Sequence, residues 1–189
     1  MEVHLELTGR SPLLMHNGRL ADPLDPMKRA MDPLAQKRKK TPEEQEQLAQ
    51  LEWMGGLYYE KGFGVYIPTI NLIRSLRDAA TAWKQGDLLY RATTIMDDKS
   101  PLIYDGPKEP AKLYRESNID HRTVVIGRVR VARTRPIFRP PWSVTVVLEL
   151  ETLELKLEDL ARIAERAGRF YGIGDARKLG FGRFDAKVS

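Results

Sequence analysis

The chain of 189 residues contains no cysteine and only three histidines. Without cysteine there is no disulfide framework, no thiolate nucleophile and no thiolate metal site, and a reducing cytoplasm suits such a chain. No apolar run approaches the ~18 residues of a membrane span. The opening MEVHLELTG alternates like a strand instead of setting a basic patch before an apolar run, so a leader peptide is not expected. No Gly-Lys-Ser/Thr triplet opens a helix, and no glycine fingerprint follows a strand into a helix, so neither a nucleoside triphosphate loop nor a dinucleotide fold is expected. No Ser/His/Asp arrangement is legible. Asp97-Asp98 are neighbours that point apart on a strand, which argues against a metal site there. No cofactor is expected.

What the chain does have is segregated charge. Lys+Arg number 31 against 26 Asp+Glu, a formal net charge of +5. Acidic residues gather in 43–60 and 149–165, and basic ones in 28–40, 122–139 and 177–187. Segregation of this kind suits a positive face turned toward a polyanion.

Hydrophobic spacing gives the elements. Val3, Leu5 and Leu7 alternate with Glu2, His4 and Glu6 as a half-buried strand. Residues 17–56 read as an insertion, with three Asp-Pro steps, the basic run Lys37-Arg38-Lys39-Lys40 and a helix. Thr41-Pro42-Glu43-Glu44 opens that helix with a capping box and a proline at the first position. Alone, the stretch has too few apolar residues to bury a core. Tyr58 to Ile67, with Gly62-Phe63-Gly64, predicts a hairpin. Pro68-Thr69 starts a helix whose buried stripe is Ile73, Leu76, Ala80 and Trp83, with Arg74 and Arg77 off it. Residues 86–121 read as short strands and loop. In Arg128-Val129-Arg130-Val131 alternation puts valines inward and arginines outward, and 133–141 reads as a proline-stiffened connector. Trp142, Val144, Val146, Leu148 and Leu150 form the clearest strand. A helix with Leu160, Ile163, Ala164, Ala167 and Tyr171 on one face and a closing strand follow. The order predicts an α+β fold: an antiparallel sheet, ferredoxin-like or RRM-like, with helices on one face and insertions at about 17–56 and 86–121.

Two segments carry candidate chemistry. Gly172-Ile173-Gly174-Asp175-Ala176-Arg177-Lys178-Leu179-Gly180-Phe181-Gly182-Arg183 follows a helix. Its glycines permit positive φ, its amides suit a phosphate nest, and Arg177, Lys178 and Arg183 supply charge. The arginine tract 122–139, with Arg128, Arg130, Arg133, Arg135 and Arg139, suits phosphate contacts and stacking on unpaired bases.

Helix, GIGDARKLGFGRF and closing strand together resemble the C-terminal glycine-rich loop of the RAMP superfamily, the RNA-binding proteins of CRISPR systems. Ile67-Pro68-Thr69-Ile70-Asn71-Leu72-Ile73-Arg74-Ser75-Leu76-Arg77 resembles that family's first-helix pattern, with bulkier residues after Ile-Pro. The first strand running into Ser11-Pro12-Leu13-Leu14 also suits it. The resemblance implies a single ferredoxin-like RAMP domain over 1–189 that recognises single-stranded RNA or its DNA counterpart. The chain is shorter than a CRISPR backbone subunit, which points to a stand-alone or phage-borne relative. The leading expectation is a sequence-tolerant, non-catalytic binder whose copies line up along the strand as an oligomer or filament. Its expected contacts are Arg74, Arg77, Arg128, Arg130, Arg133, Arg135, Arg139, Gly172, Gly174, Arg177, Lys178, Gly180, Gly182 and Arg183. One alternative is a metal-independent endoribonuclease with His16 as general base. Another is a protein-binding component of a CRISPR or phage assembly.

Overall fold

Strict alternation makes the central sheet. In β1 (Glu2–Gly9) Val3, Leu5 and Leu7 are buried while Glu2, His4, Glu6 and Thr8 are exposed. Period-two burial fixes which face meets the core. The computed structural model describes residues 1–189, the side chain at 126 excepted, and the chain divides into two compact units. The first comprises Met1–Leu13, Glu60–Asp105 and Phe138–Ser189; the second comprises Leu14–Tyr59 and Gly106–Ile137.

The first unit has α1 (Thr69–Ala80), β2 (Thr93–Ile95), β3 (Trp142–Leu150), α2 (Leu157–Arg166) and β4 (Phe184–Val188) after β1. The strands lie in the order β4-β1-β3-β2, all antiparallel. This is the βαββαβ order of a ferredoxin-like sheet, and α1 and α2 pack on each other. The α+β expectation holds. Buried Leu72, Ile73, Leu76 and Ala79 from α1 meet Leu160, Ile163 and Ala164 from α2 in the core with Val144, Val146 and Leu148 of β3. Full burial of each large aliphatic side chain contributes about 1.5–3 kcal/mol.

Two details differ from the sequence reading. α1 ends at Ala80, and Trp83 sits in a following 3-10 turn, Thr81–Trp83, half-buried instead of in the core stripe. Lys84 in the left-handed region closes that turn. At the other helix, the α-helical pattern of α2 widens into a π-turn over Ala167–Tyr171, closed by the Gly172 amide donating to the Ala167 carbonyl at 2.8 Å.

The second unit assembles its core from two stretches far apart in sequence. Its main helix, Pro42–Gly56, has the full capping box between Thr41 and Glu44. The Lys37 ammonium first, and then the Thr41 amide, hold the Glu44 carboxyl below the usual carboxylate range. Buried Trp53 donates its Nε1 to the Asn118 carbonyl at 2.8 Å and meets Tyr114 edge-on, ring centroids 5.3 Å apart. Residues 17–56 thus meet 106–137 through Trp53, and Leu113 and Ile137 are buried in the same unit. The segment 86–121 is more ordered than loop: a helix at Gly86–Ala92, short strands at Lys99–Pro101 and Ile103–Tyr104, and a strand beginning at Ile119. That strand, Ile119–Ile126, pairs with Val129–Phe138 in a long hairpin.

Candidate nucleic-acid interface

The glycine-rich loop is a braced turn. Gly172 (φ 73°) and Gly182 (φ 66°) are where its two limbs cross: a Cβ on Gly182 would lie 1.8 Å from the Ile173 carbonyl oxygen. Glycine is required there because two backbones touch. The Ile173 amide donates to the Gly182 carbonyl at 2.9 Å and the Gly182 amide to Pro12 at 2.8 Å. Ser11 completes the brace, its hydroxyl donating to the Gly180 carbonyl and accepting from the Arg183 amide, each at 2.8 Å. The Gly172, Gly180 and Gly182 amides donate to the Ala167, Arg177 and Pro12 carbonyls. They are therefore spent inside the fold and form no phosphate nest, which corrects the expected role of these glycines. Gly174 (φ 78°) lies in the half-buried part of the loop.

The brace positions guanidinium groups. Arg177 pairs with Asp78 of α1 at 3.2 Å, and the Arg183 guanidinium donates to the Arg177 carbonyl at 3.1 Å. Arg177 Nη1 and Arg183 Nη1 are each shielded from solvent and have no hydrogen-bond acceptor. Desolvation, and then the neighbouring Arg177 charge, push Arg183 below the ordinary arginine value. Asp78 thus balances Arg177, while Arg183 beside it bonds a carbonyl. Both side chains are nevertheless part-exposed, and a phosphate oxygen that meets their exposed atoms gains charge-assisted hydrogen bonds, which are strong. A cavity of about 520 Å³ opens beside Arg177, lined by Asp78, Phe170, Tyr171, Gly174 and Lys178 among others.

The basic surface continues onto α2. Arg162, Arg166 and Arg169 recur at four- and three-residue spacing, on the side away from Leu160, Ile163 and Ala164. A depression lined by Arg10, Ser11, Arg169 and Arg183 joins them to the loop. Among the described residues, Arg166, Arg169, Lys178 and Arg183 have no carboxylate within ion-pair distance. Arg10 faces Asp185 at 3.3 Å in an exposed pair of little energetic weight. Sequence reading missed Arg10, Arg162, Arg166 and Arg169. The helical spacing of the last three was the available signal. By contrast, the open face of the sheet carries exposed Glu2, Glu6, Glu149 and Asp185 against His4 and Lys187, which repels a polyanion.

The second unit's arginines are mostly committed. Val129–Phe138 is a hairpin strand, not a connector. Arg135 is 5% exposed and pairs with buried Asp120 at 2.8 Å; Arg122 pairs with the same carboxylate. Arg133 pairs with Glu52 at 2.7 Å, and the other Glu52 oxygen accepts from the Thr134 amide at 2.8 Å. Arg135 is therefore an internal counter-ion and Arg133 a bridge to the helix, a correction to their expected role as contacts. Arg128 lies in the two-residue turn with Gly127, and Arg130 is exposed just after it. Of the valines expected to point inward, Val131 is half-buried but Val129 is 63% exposed, and Val125 across the turn is 66% exposed.

Arg74 and Arg77 are exposed on α1, Arg77 facing Asp87 at 3.4 Å and lying 5.1 Å from the Tyr90 ring centroid. Arg139 is exposed beyond the hairpin. His16 is half-buried in the second unit, and its carbonyl accepts the Tyr58 hydroxyl at 3.2 Å.

No family model and no curated protein matches the sequence. Among solved structures, the chain is similar to one from the cryo-EM structure of the Type III-B Cmr-beta bound to cognate target RNA. That match has a TM-score of 0.49 and 12% identity over 100% of this chain and 59% of the other. The chain is also similar to Cmr6 from Pyrococcus furiosus, with a TM-score of 0.45 and 13% identity over 99% and 98% of the two chains. It thus spans about three-fifths of the length of the first.

Proposed function

We propose that the chain is a binding protein for single-stranded nucleic acid, RNA in the first place, and that its first unit grips the phosphate backbone. The observation that carries this reading is Arg183, a guanidinium set beside the Arg177 charge with no carboxylate of its own among the described residues. Arg10, Arg166, Arg169 and Lys178 extend the same positive strip. Phosphate contacts of this type are indifferent to base sequence and release counter-ions, so affinity falls as salt rises. The motif resemblance to RAMP proteins favours RNA over DNA.

The test is a fluorescence anisotropy titration of labelled single-stranded RNA and DNA between roughly 50 and 200 mM salt. A steep fall in affinity with salt, and a flatter slope for Arg183→Ala, is the expected result. Salt-insensitive binding, or none to either strand, overturns the proposal.

A further inference from the structure

The arginines of α2 are interleaved with two aromatic rings, and the phosphate reading leaves those rings unused. Arg162 lies 4.6 Å and Arg166 5.4 Å from the centroid of Trp83. Arg166 and Arg169 each lie 5.3 Å from the centroid of Phe170. The result is an alternating ladder, Arg162–Trp83–Arg166–Phe170–Arg169, around a shallow depression of about 180 Å³.

Backbone geometry holds the ladder outward. Gly168 in the π-turn presses on β4 so closely that a Cβ there would lie 2.1 Å from the Phe184 carbonyl oxygen. With position 168 against the sheet, Arg169 and Phe170 face solvent, and Phe170 is 53% exposed. π-turns inside helices gather at functional sites. A half-exposed phenylalanine ring gains little from water, and the Arg166 Nε beside it has no acceptor. Among the described residues, the carboxylate bonded to the ladder is Asp159, at 2.8 Å from Arg162, while Glu165 also lines the depression. Arg166 and Arg169, flanking Phe170, keep their charge unpaired.

We propose that this ladder is a base-stacking track, with an unpaired base seated on Phe170 between the Arg166 and Arg169 guanidinium groups. Every base has a π-face, so stacking of this kind tolerates any sequence while rejecting duplex, whose bases are already stacked. The inference rests on the nucleic-acid reading above and adds what that reading lacks: a contact that distinguishes a strand with bases from a bare chain of phosphates.

The molecule carries its own reporter. Trp53 and Trp142 are 0% and 1% exposed, leaving Trp83 as the accessible indole. Intrinsic fluorescence and anisotropy would be followed while titrating the full chain with single-stranded RNA, with an abasic strand of equal phosphate number, with duplex RNA and with polyglutamate. The single strand should quench Trp83 and bind more tightly than the abasic strand by roughly 5- to 150-fold per stacked base. Phe170→Ala should erase that difference while keeping the salt slope, and Trp83→Phe should remove the quench. Equal, salt-dependent binding of single and abasic strands sinks the stacking track and leaves the backbone reading standing. Loss of binding to every nucleic acid sinks both. Preference for duplex overturns the track, and preference for polyglutamate assigns this surface to a protein partner.

Discussion

Two regions of this chain are rich in arginine, and they use it in opposite ways. In the hairpin of the second unit, Arg122, Arg133 and Arg135 meet Asp120 and Glu52, both buried carboxylates. In the helix and loop of the first unit, Arg166 and Arg169 meet aromatic rings, and Arg183 meets the Arg177 carbonyl and charge. The lesson is that guanidinium density does not make an anion site. What decides is whether the fold also supplies the counter-charge. A carboxylate at 2.8 Å in a dry setting uses up the arginine's charge on structure. Where the counter-charge is missing, the positive charge is left for a ligand to balance.

The comparison is broken most directly by Arg135→Ala. It strands the buried Asp120 charge, and loss of one partner from a buried pair costs about 3–5 kcal/mol. Denaturant unfolding should show that loss, while the salt slope for RNA in the remaining folded protein stays that of the wild type. A stable Arg135→Ala protein with weakened RNA binding would mean that the hairpin arginines are ligand contacts after all. The next largest effect belongs to the combined variant Arg169→Ala, Lys178→Ala, Arg183→Ala. Removing three phosphate contacts should flatten the plot of log affinity against log salt by about two, at roughly 0.7 per contact for single strands. Affinity should fall about 10³-fold or more, at about 1.5–3 kcal/mol per charged hydrogen bond. Folding should change little, because none of the three anchors an ion pair; circular dichroism checks this.

The difference between these regions was only partly legible in the sequence. The strands and the capped helix were, since alternation and the Thr41–Glu44 box are local signals. The Asp120–Arg135 pair was also within reach: a two-residue turn at Gly127-Arg128 sets Asp120 opposite Arg135 across the hairpin. Glu52 and Arg133 were not, because they stand 81 residues apart and meet through tertiary packing. Trp83 was misread for a clear reason. Helical spacing continues past Ala80 in the sequence, but the chain turns into a 3-10 form, and the indole swings from the core stripe to the arginines of α2. Glycine spacing in the C-terminal loop predicts ligand-facing amides, yet Gly182 is glycine because the Ile173 carbonyl occupies the space a side chain would need.

The smallest effect sharpens the contrast within the hairpin itself. Arg128 and Arg130 are exposed beside Val125 and Val129, at the end that has no core beneath it. Surface substitutions away from packed features change stability by no more than about 0.5 kcal/mol, so the double variant Arg128→Ala, Arg130→Ala should unfold like the wild type. Its binding then separates two roles for this end of the hairpin. If these arginines touch phosphate, the salt slope flattens by up to about 1.4, at roughly 0.7 for each contact. If they serve only solubility, the slope is that of the wild type. A hairpin with structural arginines at its base and binding arginines at its tip would carry both uses of the residue on one pair of strands, divided by where the carboxylates stop.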